Sequence, residues 1–284
     1  MRIDAHQHFW RYNPARDTWI TDEMAVLKKD FLPAQLMTEL AGSNMQGCIA
    51  VQADQSETET HFLLDLAERH DMIQGVVGWV DLCSNDVAQR LQALSPHPKL
   101  CGFRHIVQAE ADDRFMLQPG FLHGMKCLEE FGFTYDILIY PRQLPAALEL
   151  VSRFSNQLFV IDHIAKPSIK KNLRLPWASD LCAIAMNPNV YCKISGLVTE
   201  ADWHQWTPDV FKPYLDAVFE AFGVDRLIFG SDWPVCLLAA GYHQVVALVT
   251  DYMRDLSKTD VDKIFGLNAA RFYGQRASHH AVTT

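Results

Sequence analysis

The sequence predicts an α/β protein, a single closed (β/α)8 barrel, on two observations. Eight short apolar runs recur along its 284 residues, most of them apolar on consecutive positions, as strands covered on both faces are. Between them lie segments with apolar residues at helical spacing, and alternation of β and α elements implies a parallel sheet. Eight strands favour closure into a barrel, which typically takes about 250 residues, over the open doubly wound sheet that periodicity alone leaves as the alternative.

The predicted strands are residues 3–9, 47–53, 74–80, 100–107, 133–140, 158–162, 190–195 and 226–229. Among the helices, 58–70 carries Phe62, Leu63, Leu66 and Ala67 on one stripe, and 86–94 carries Val87, Leu91 and Leu94. Residues 145–154 open on Pro145, a residue suited to a first helical turn, and 208–222 and 243–255 follow the same pattern. Residues 11–31 and 166–177 read as long connections after strands, the places where a barrel builds its site. The barrel is expected over residues 1–274, followed by a loose polar tail, 275–284, in which His279 and His280 carry no role.

The balance of 34 acidic against 25 basic residues, a net charge of -9, excludes a general nucleic-acid binder, which needs clustered Lys and Arg. No apolar stretch approaches the ~20 residues of a membrane span, so no membrane partner is expected. The opening Met-Arg-Ile-Asp-Ala-His lacks the apolar core of a signal peptide. Seven cysteines, an odd number without a CxxC pair, read as reduced thiols, and a cytoplasmic location is expected. Oligomeric state is open.

Four segments carry candidate chemistry. In Asp4-Ala5-His6-Gln7-His8 the two histidines are two apart on the first strand, point to one side, and can converge as ligands for zinc or a similar ion. In Phe229-Gly230-Ser231-Asp232-Trp233-Pro234, Asp232 follows the last strand at the same end, placed to bind an ion or to take a proton from water; a plain turn aspartate is the other reading. In Ile161-Asp162-His163-Ile164-Ala165-Lys166, His163 is placed to polarise a carbonyl and Lys166 to meet substrate, while alternation turns Asp162 away from the pocket as a structural partner. Arg104 in Gly102-Phe103-Arg104-His105 is costly to bury unpaired, so it faces either a polar centre or a structural ion pair. His105 alternates away unless the strand has begun to turn, in which case it joins the substrate contacts. Asp136 and Lys193 each break an apolar run, to line the barrel or to form a structural pair. The aromatics near loop ends, Trp10, Trp19, Trp79, Trp177 and Trp233, offer faces to a sugar-like ring or pack in the rim.

Together with Lys193-Ile194-Ser195-Gly196-Leu197 and Phe265-Gly266-Leu267-Asn268-Ala269-Ala270-Arg271-Phe272-Tyr273, these segments resemble, over nearly the whole chain, the sugar-lactone hydrolase branch of the amidohydrolase superfamily. The resemblance implies a lactonase acting on a small sugar lactone, L-fuconolactone above all, with Asp232 as base, the paired-histidine role on His6 and His8, and the sixth-strand histidine role on His163; read with the segments above, Arg104 and His163 are the expected catalytic partners of Asp232, and His6, His8, His105, Lys166 and Trp233 the expected substrate contacts. It also implies a site for one divalent ion, zinc by its donor set, held by His6, His8 and Asp232. Related lactonases can work without a metal. With Arg104 on the fourth strand and Asp136 on the fifth, and no histidine on the fifth, a two-metal centre is not expected. A metal-dependent decarboxylase of the aminocarboxymuconate type is the rival enzyme, and a sugar-acid binding protein without activity the non-enzymatic alternative.

Overall fold

The computed structural model describes the backbone of residues 1–280 and the side chains of residues 1–274. Eight strands form one sheet in chain order: β1 (Ile3–Gln7), β2 (Gly47–Val51), β3 (Ile73–Gly78), β4 (Leu100–His105), β5 (Thr134–Ile137), β6 (Phe159–Ile161), β7 (Val190–Ile194) and β8 (Leu227–Phe229). Neighbouring strands are parallel throughout. Just past β8, Asp232 N donates to His6 O at 2.8 Å and His8 N to Trp233 O at 2.7 Å, which joins the last strand to the first and closes the barrel. One main helix follows each strand: α1 (Pro33–Gly42), α2 (Glu57–Arg69), α3 (Val87–Leu94), α4 (Pro119–Phe131), α5 (Leu144–Arg153), α6 (Trp177–Ala185), α7 (Lys212–Phe222) and α8 (Tyr242–Tyr252). The short α9 (Lys258–Asp262), a π turn (Lys263–Leu267) and α10 (Asn268–His280) end the described chain.

All eight predicted strands are present, most a few residues shorter than predicted. The five predicted helices correspond to α2, α3, α5, α7 and α8. The sequence hides α4 because Gly120 and Gly124 weaken its helical signal. Packing explains Gly124: a Cβ there would stand 2.3 Å from Leu82 O. The backbone of α10 is helical through His280, across the start of the expected tail. The tail's side chains, those of His279 and His280 included, lie outside the described residues. Among the described residues, no helix is long and apolar enough to cross a membrane.

Two layers fill the barrel. The lower one is apolar, with Ile3, Ala5, Ile49, Val51, Val77, Cys101, Val160, Tyr191 and Ile228 pointing inward and Ala269, Phe272 and Tyr273 of α10 closing the floor. Burying a side chain such as Phe272 contributes about 2–3 kcal/mol, so α10 acts as a plug rather than an appendage. The upper layer is ionic and buried: His6, Arg104, Asp136, Asp162 and Lys193.

Candidate active site

A bulge on β1 makes the site. Asp4 pairs with Cys48 and Gln7 with Ala50, so two residues, Ala5 and His6, stand opposite Ile49 alone. Ile3 and Ala5 point into the barrel, and strict alternation from them would send His6 and His8 outward. The bulge resets the phase, so that Ala5, His6 and His8 all face inward. Space for His6 comes from Gly230, where a Cβ would lie 2.4 Å from His6 Cβ. Asp4, on the outer face, fixes the start of the last loop: its carboxylate accepts from Ser231 N at 2.8 Å, Ser231 Oγ at 2.6 Å and Tyr242 OH at 3.1 Å.

His163 arrives by a different route. Val160 points inward, so alternation brings Asp162 inward too and would turn His163 away. The sequence expectation for Asp162 is thus overturned: it faces the barrel centre, fully buried, beneath the cavity. His163 reaches the same side because the chain leaves the β region, with φ of 52° at His163, 49° at Ile164, 60° at Ala165 and 48° at Lys166. Positive φ on four consecutive non-glycine residues is costly backbone, held here by its surroundings. Ser195 Oγ lies 2.9 Å from His163 Nδ1. Gly196 leaves room for the ring, since a Cβ there would fall 2.5 Å from His163 Nδ1. Asp232 also has positive φ, 59°.

These routes meet on one oxygen. Asp232 Oδ1 lies 3.4 Å from His8 Nε2, 3.8 Å from His163 Nε2 and 3.9 Å from His6 Nε2. Beneath them, Arg104 Nη1 stands 3.2 Å from His6 Nε2 and 3.0 Å from Asp162 Oδ2, and Nη2 donates to the Gln52 carbonyl. Lys193 Nζ lies 2.5 Å from Asp136, 3.0 Å from Asp162 and 3.1 Å from His6 Nδ1, and Tyr273 OH donates to Asp136 at 2.8 Å. Asp136 and Lys193 are therefore a structural pair within the barrel.

The electrostatics follow from this packing. Burial, with Lys193 and His163 adding to it against Asp162, holds His6 well below the ordinary histidine range. Burial likewise brings His163 down to about 4, against the pull of Asp232 and Asp162. Both rings are neutral at neutral pH. Burial alone would raise Asp232, but the neighbouring imidazoles, His163 first and then the hydrogen bond from His8, hold it below the usual carboxylate range. An ionised carboxylate among neutral imidazoles suits either a general base or a metal ligand.

The ring hydrogen bonds bear on the metal. The Val51 carbonyl can only accept, so His8 Nδ1 donates to it at 2.7 Å, which turns Nε2 toward Asp232. A backbone carbonyl behind a histidine is the support that metal ligands use. Donor atoms of His6, His8 and Asp232 lie within 4.8 Å of one another, all three residues buried, and His6, Asp162 and His163 form a second such group. Two imidazole nitrogens and a carboxylate fit one ion such as zinc. Among the described residues, β4 and β5 bring Arg104 and Asp136 to the interior and no histidine.

The mouth above the cluster is a cavity of about 280 Å³ lined by His8, Trp19, Ala53, Arg104, Ile106, Gln108, Ala109, Leu138, His163, Lys166, Asp232 and Val235. A larger groove, about 530 Å³, runs between α7 and α8 on the outer surface, but it contains none of the candidate residues. Of the expected contacts, Lys166 lines the mouth, with Nζ 3.8 Å from Glu200 Oε1. Three do not line it: His6 is fully buried beneath the cavity, its Nε2 3.9 Å from Asp232 Oδ1, and two others point elsewhere. His105 obeys alternation and faces outward, 2.7 Å from Glu110, stacked on Phe115 and hydrogen-bonded by Trp79 Nε1 at 3.3 Å. Trp233 is buried edge-on against Phe9 and Phe31. Of the other indoles, Trp19 reaches the cavity, whereas Trp10 and Trp177 are buried in packing. Sequence reasoning missed Gln108, Ile106 and Leu138; their place just past the C-terminal ends of β4 and β5 was the available signal.

A closed barrel with histidine, aspartate and arginine converging at its C-terminal mouth defines a barrel enzyme with a polar, ion-capable centre. The chain belongs to the amidohydrolase family, whose model matches residues 3–275. The L-fucono-1,5-lactonase of Burkholderia multivorans is 42% identical to it, covering 96% of both chains. The L-fucono-1,5-lactonase of Burkholderia ambifaria is 37% identical, covering 96% of this chain and 95% of its own. A crystal structure of an amidohydrolase from Burkholderia multivorans with bound zinc shares the fold with a TM-score of 0.92 at 41% identity, covering 96% of this chain and 99% of the other.

Proposed function

We propose that this protein hydrolyses a sugar-derived lactone, L-fucono-1,5-lactone foremost, to the open hydroxy acid. The observation that carries the reading is Asp232, ionised at the mouth of the barrel within reach of three imidazoles and above the Arg104 guanidinium. Near-full-length similarity to two L-fucono-1,5-lactonases supports the choice of substrate. The free state of all seven cysteines is consistent with a cytoplasmic enzyme.

In the proposed reaction the lactone carbonyl lies in the mouth with its oxygen toward Arg104 and His163. Asp232 accepts a proton as water attacks the carbonyl carbon. The carbon–oxygen double bond opens to an oxyanion, held by the same donors. Its collapse restores the carbonyl and breaks the bond to the ring oxygen, which leaves with the proton that Asp232 held. His8 lines the mouth, His6 lies buried beneath it, and Lys166 meets the hydroxylated part of the substrate. A divalent ion bound by His6, His8 and Asp232 would supply Lewis-acid polarisation and a more acidic water. Arg104 already places a fixed cation there, and a lactone needs less activation than an amide. We therefore assign the ion an accessory role.

The test is the initial rate of acid release from L-fucono-1,5-lactone, followed with a pH indicator against an enzyme-free control. A rate no higher than the control overturns this substrate. Release of carbon dioxide from an aminocarboxymuconate-type carboxylate would favour the decarboxylase reading instead.

A further inference from the structure

The mouth cavity combines two kinds of lining. His8, Arg104, His163, Lys166 and Asp232 are polar and belong to the proposed chemistry. Ile106, Gln108 and Leu138 come from the ends of the adjacent strands β4 and β5 and form a contiguous patch, in which Gln108 is the polar member. The Gln108 backbone is clamped: its N–H donates to the Leu138 carbonyl at 3.0 Å, and its own carbonyl accepts from Arg142 Nη2 at 3.3 Å. One residue earlier, the Val107 carbonyl is held by Gln143 Nε2 at 2.8 Å. The side chain is treated differently. Gln108 Oε1 is buried and has no hydrogen-bond partner. A buried amide oxygen left unpaired costs free energy, and the cost disappears when a ligand brings a donor. The apolar neighbours Ile106 and Leu138 exclude competing water and strengthen that bond.

We propose that Gln108 is a specificity-determining residue that accepts a hydrogen bond from a hydroxyl of the bound sugar lactone. The inference rests on the lactonase reading, and adds to it a residue that reads the substrate without taking part in the chemistry. A site built to bond a hydroxyl discriminates strongly against a substrate lacking it, because its own polar group is then left unpaired.

The experiment compares kcat/KM on L-fucono-1,5-lactone with kcat/KM on δ-valerolactone, a six-membered lactone with no hydroxyl. Native protein, Gln108→Met and Gln108→Glu are used, with folding checked by thermal unfolding. Gln108→Met keeps the volume and removes the acceptor; it is expected to lose about tenfold or more on the sugar lactone, the scale of one hydrogen bond, and little on δ-valerolactone. Gln108→Glu keeps an acceptor and is expected to stay closer to native on the sugar lactone. Equal loss on both lactones, or no loss on either, overturns the assignment of Gln108. Native protein that hydrolyses δ-valerolactone but not the sugar lactone overturns it as well, while leaving a lactonase. Native protein that hydrolyses neither removes the lactonase reading, and the inference with it.

Discussion

His8 turns one nitrogen to each of two fixed acceptors: Nδ1 donates to the Val51 carbonyl at 2.7 Å, and Nε2 faces Asp232 Oδ1 at 3.4 Å. The first contact orients the second, since donation at Nδ1 turns Nε2 to the Asp232 side. His8 is then the best-prepared ligand of the three, because Arg104 Nη1 already stands 3.2 Å from His6 Nε2. His8→Ala is expected to weaken zinc binding by about a hundredfold or more, measured by calorimetric titration of metal-free protein. Unchanged affinity would place the ion elsewhere. Chelator-treated native protein is expected to keep measurable lactone hydrolysis.

Asp232→Asn keeps the side chain's shape and its polar contacts while removing the base. Its melting temperature is expected to stay near native, and kcat to fall about a hundredfold or more. A variant with near-native kcat would take the base role away from Asp232.

Much of this arrangement was legible in the sequence, for a definite reason. Eight strands buried on both faces leave continuous apolar runs, and the residues that break those runs near their C-terminal ends, Arg104, Asp136, His163, Lys193 and Asp232, are those that the barrel brings to its centre or mouth. Phase was less legible. Alternation places His105 correctly outside but, counted back from an inward His163, turns Asp162 the wrong way, because nothing in Asp162-His163-Ile164-Ala165-Lys166 announces the four residues of positive φ that bring His163 to the same side. The pairing of His6 with His8 holds only because of a bulge whose signal, an extra residue against Ile49, belongs to two strands at once. Gln108 and Leu138 gave no chemical cue, since neither residue type is unusual in a loop.

Glu59 gives a pH prediction away from the site. Buried behind the loop after β2, its carboxylate accepts from the backbone N–H groups of Ala53 and Asp54, and burial pushes it from the ordinary 4.5 up to about 8. A carboxyl raised on folding binds more protons in the folded than in the unfolded chain between those values. Its contribution to stability is complete below 4.5 and lost as pH rises through about 8. Glu59→Gln resembles the protonated acid and cannot ionise. Native protein is therefore expected to melt progressively lower than Glu59→Gln as pH rises from about 5 to about 9, with the difference closing at acid pH. A difference that does not change with pH would show that Glu59 is ionised throughout.

Lys193 tests whether the ionic layer holds the barrel together. Its ammonium is fully buried against Asp136 and Asp162. Burial would lower it, yet these two carboxylates outweigh burial and keep it charged. Such a layer is costly to desolvate, and its members depend on one another. Lys193→Met leaves Asp136 with Tyr273 OH, and Asp162 with Arg104 and His6, around a buried negative charge that has lost its nearest cation. The expected loss is about 3–5 kcal/mol in urea unfolding. Removing the second charge as well reverses the argument, since an apolar pair of similar volume has no desolvation cost to recover. Lys193→Met with Asp136→Leu is therefore expected to be more stable than Lys193→Met alone. Losses that simply add would show that the two side chains contribute independently, and that packing rather than charge pairing holds this layer.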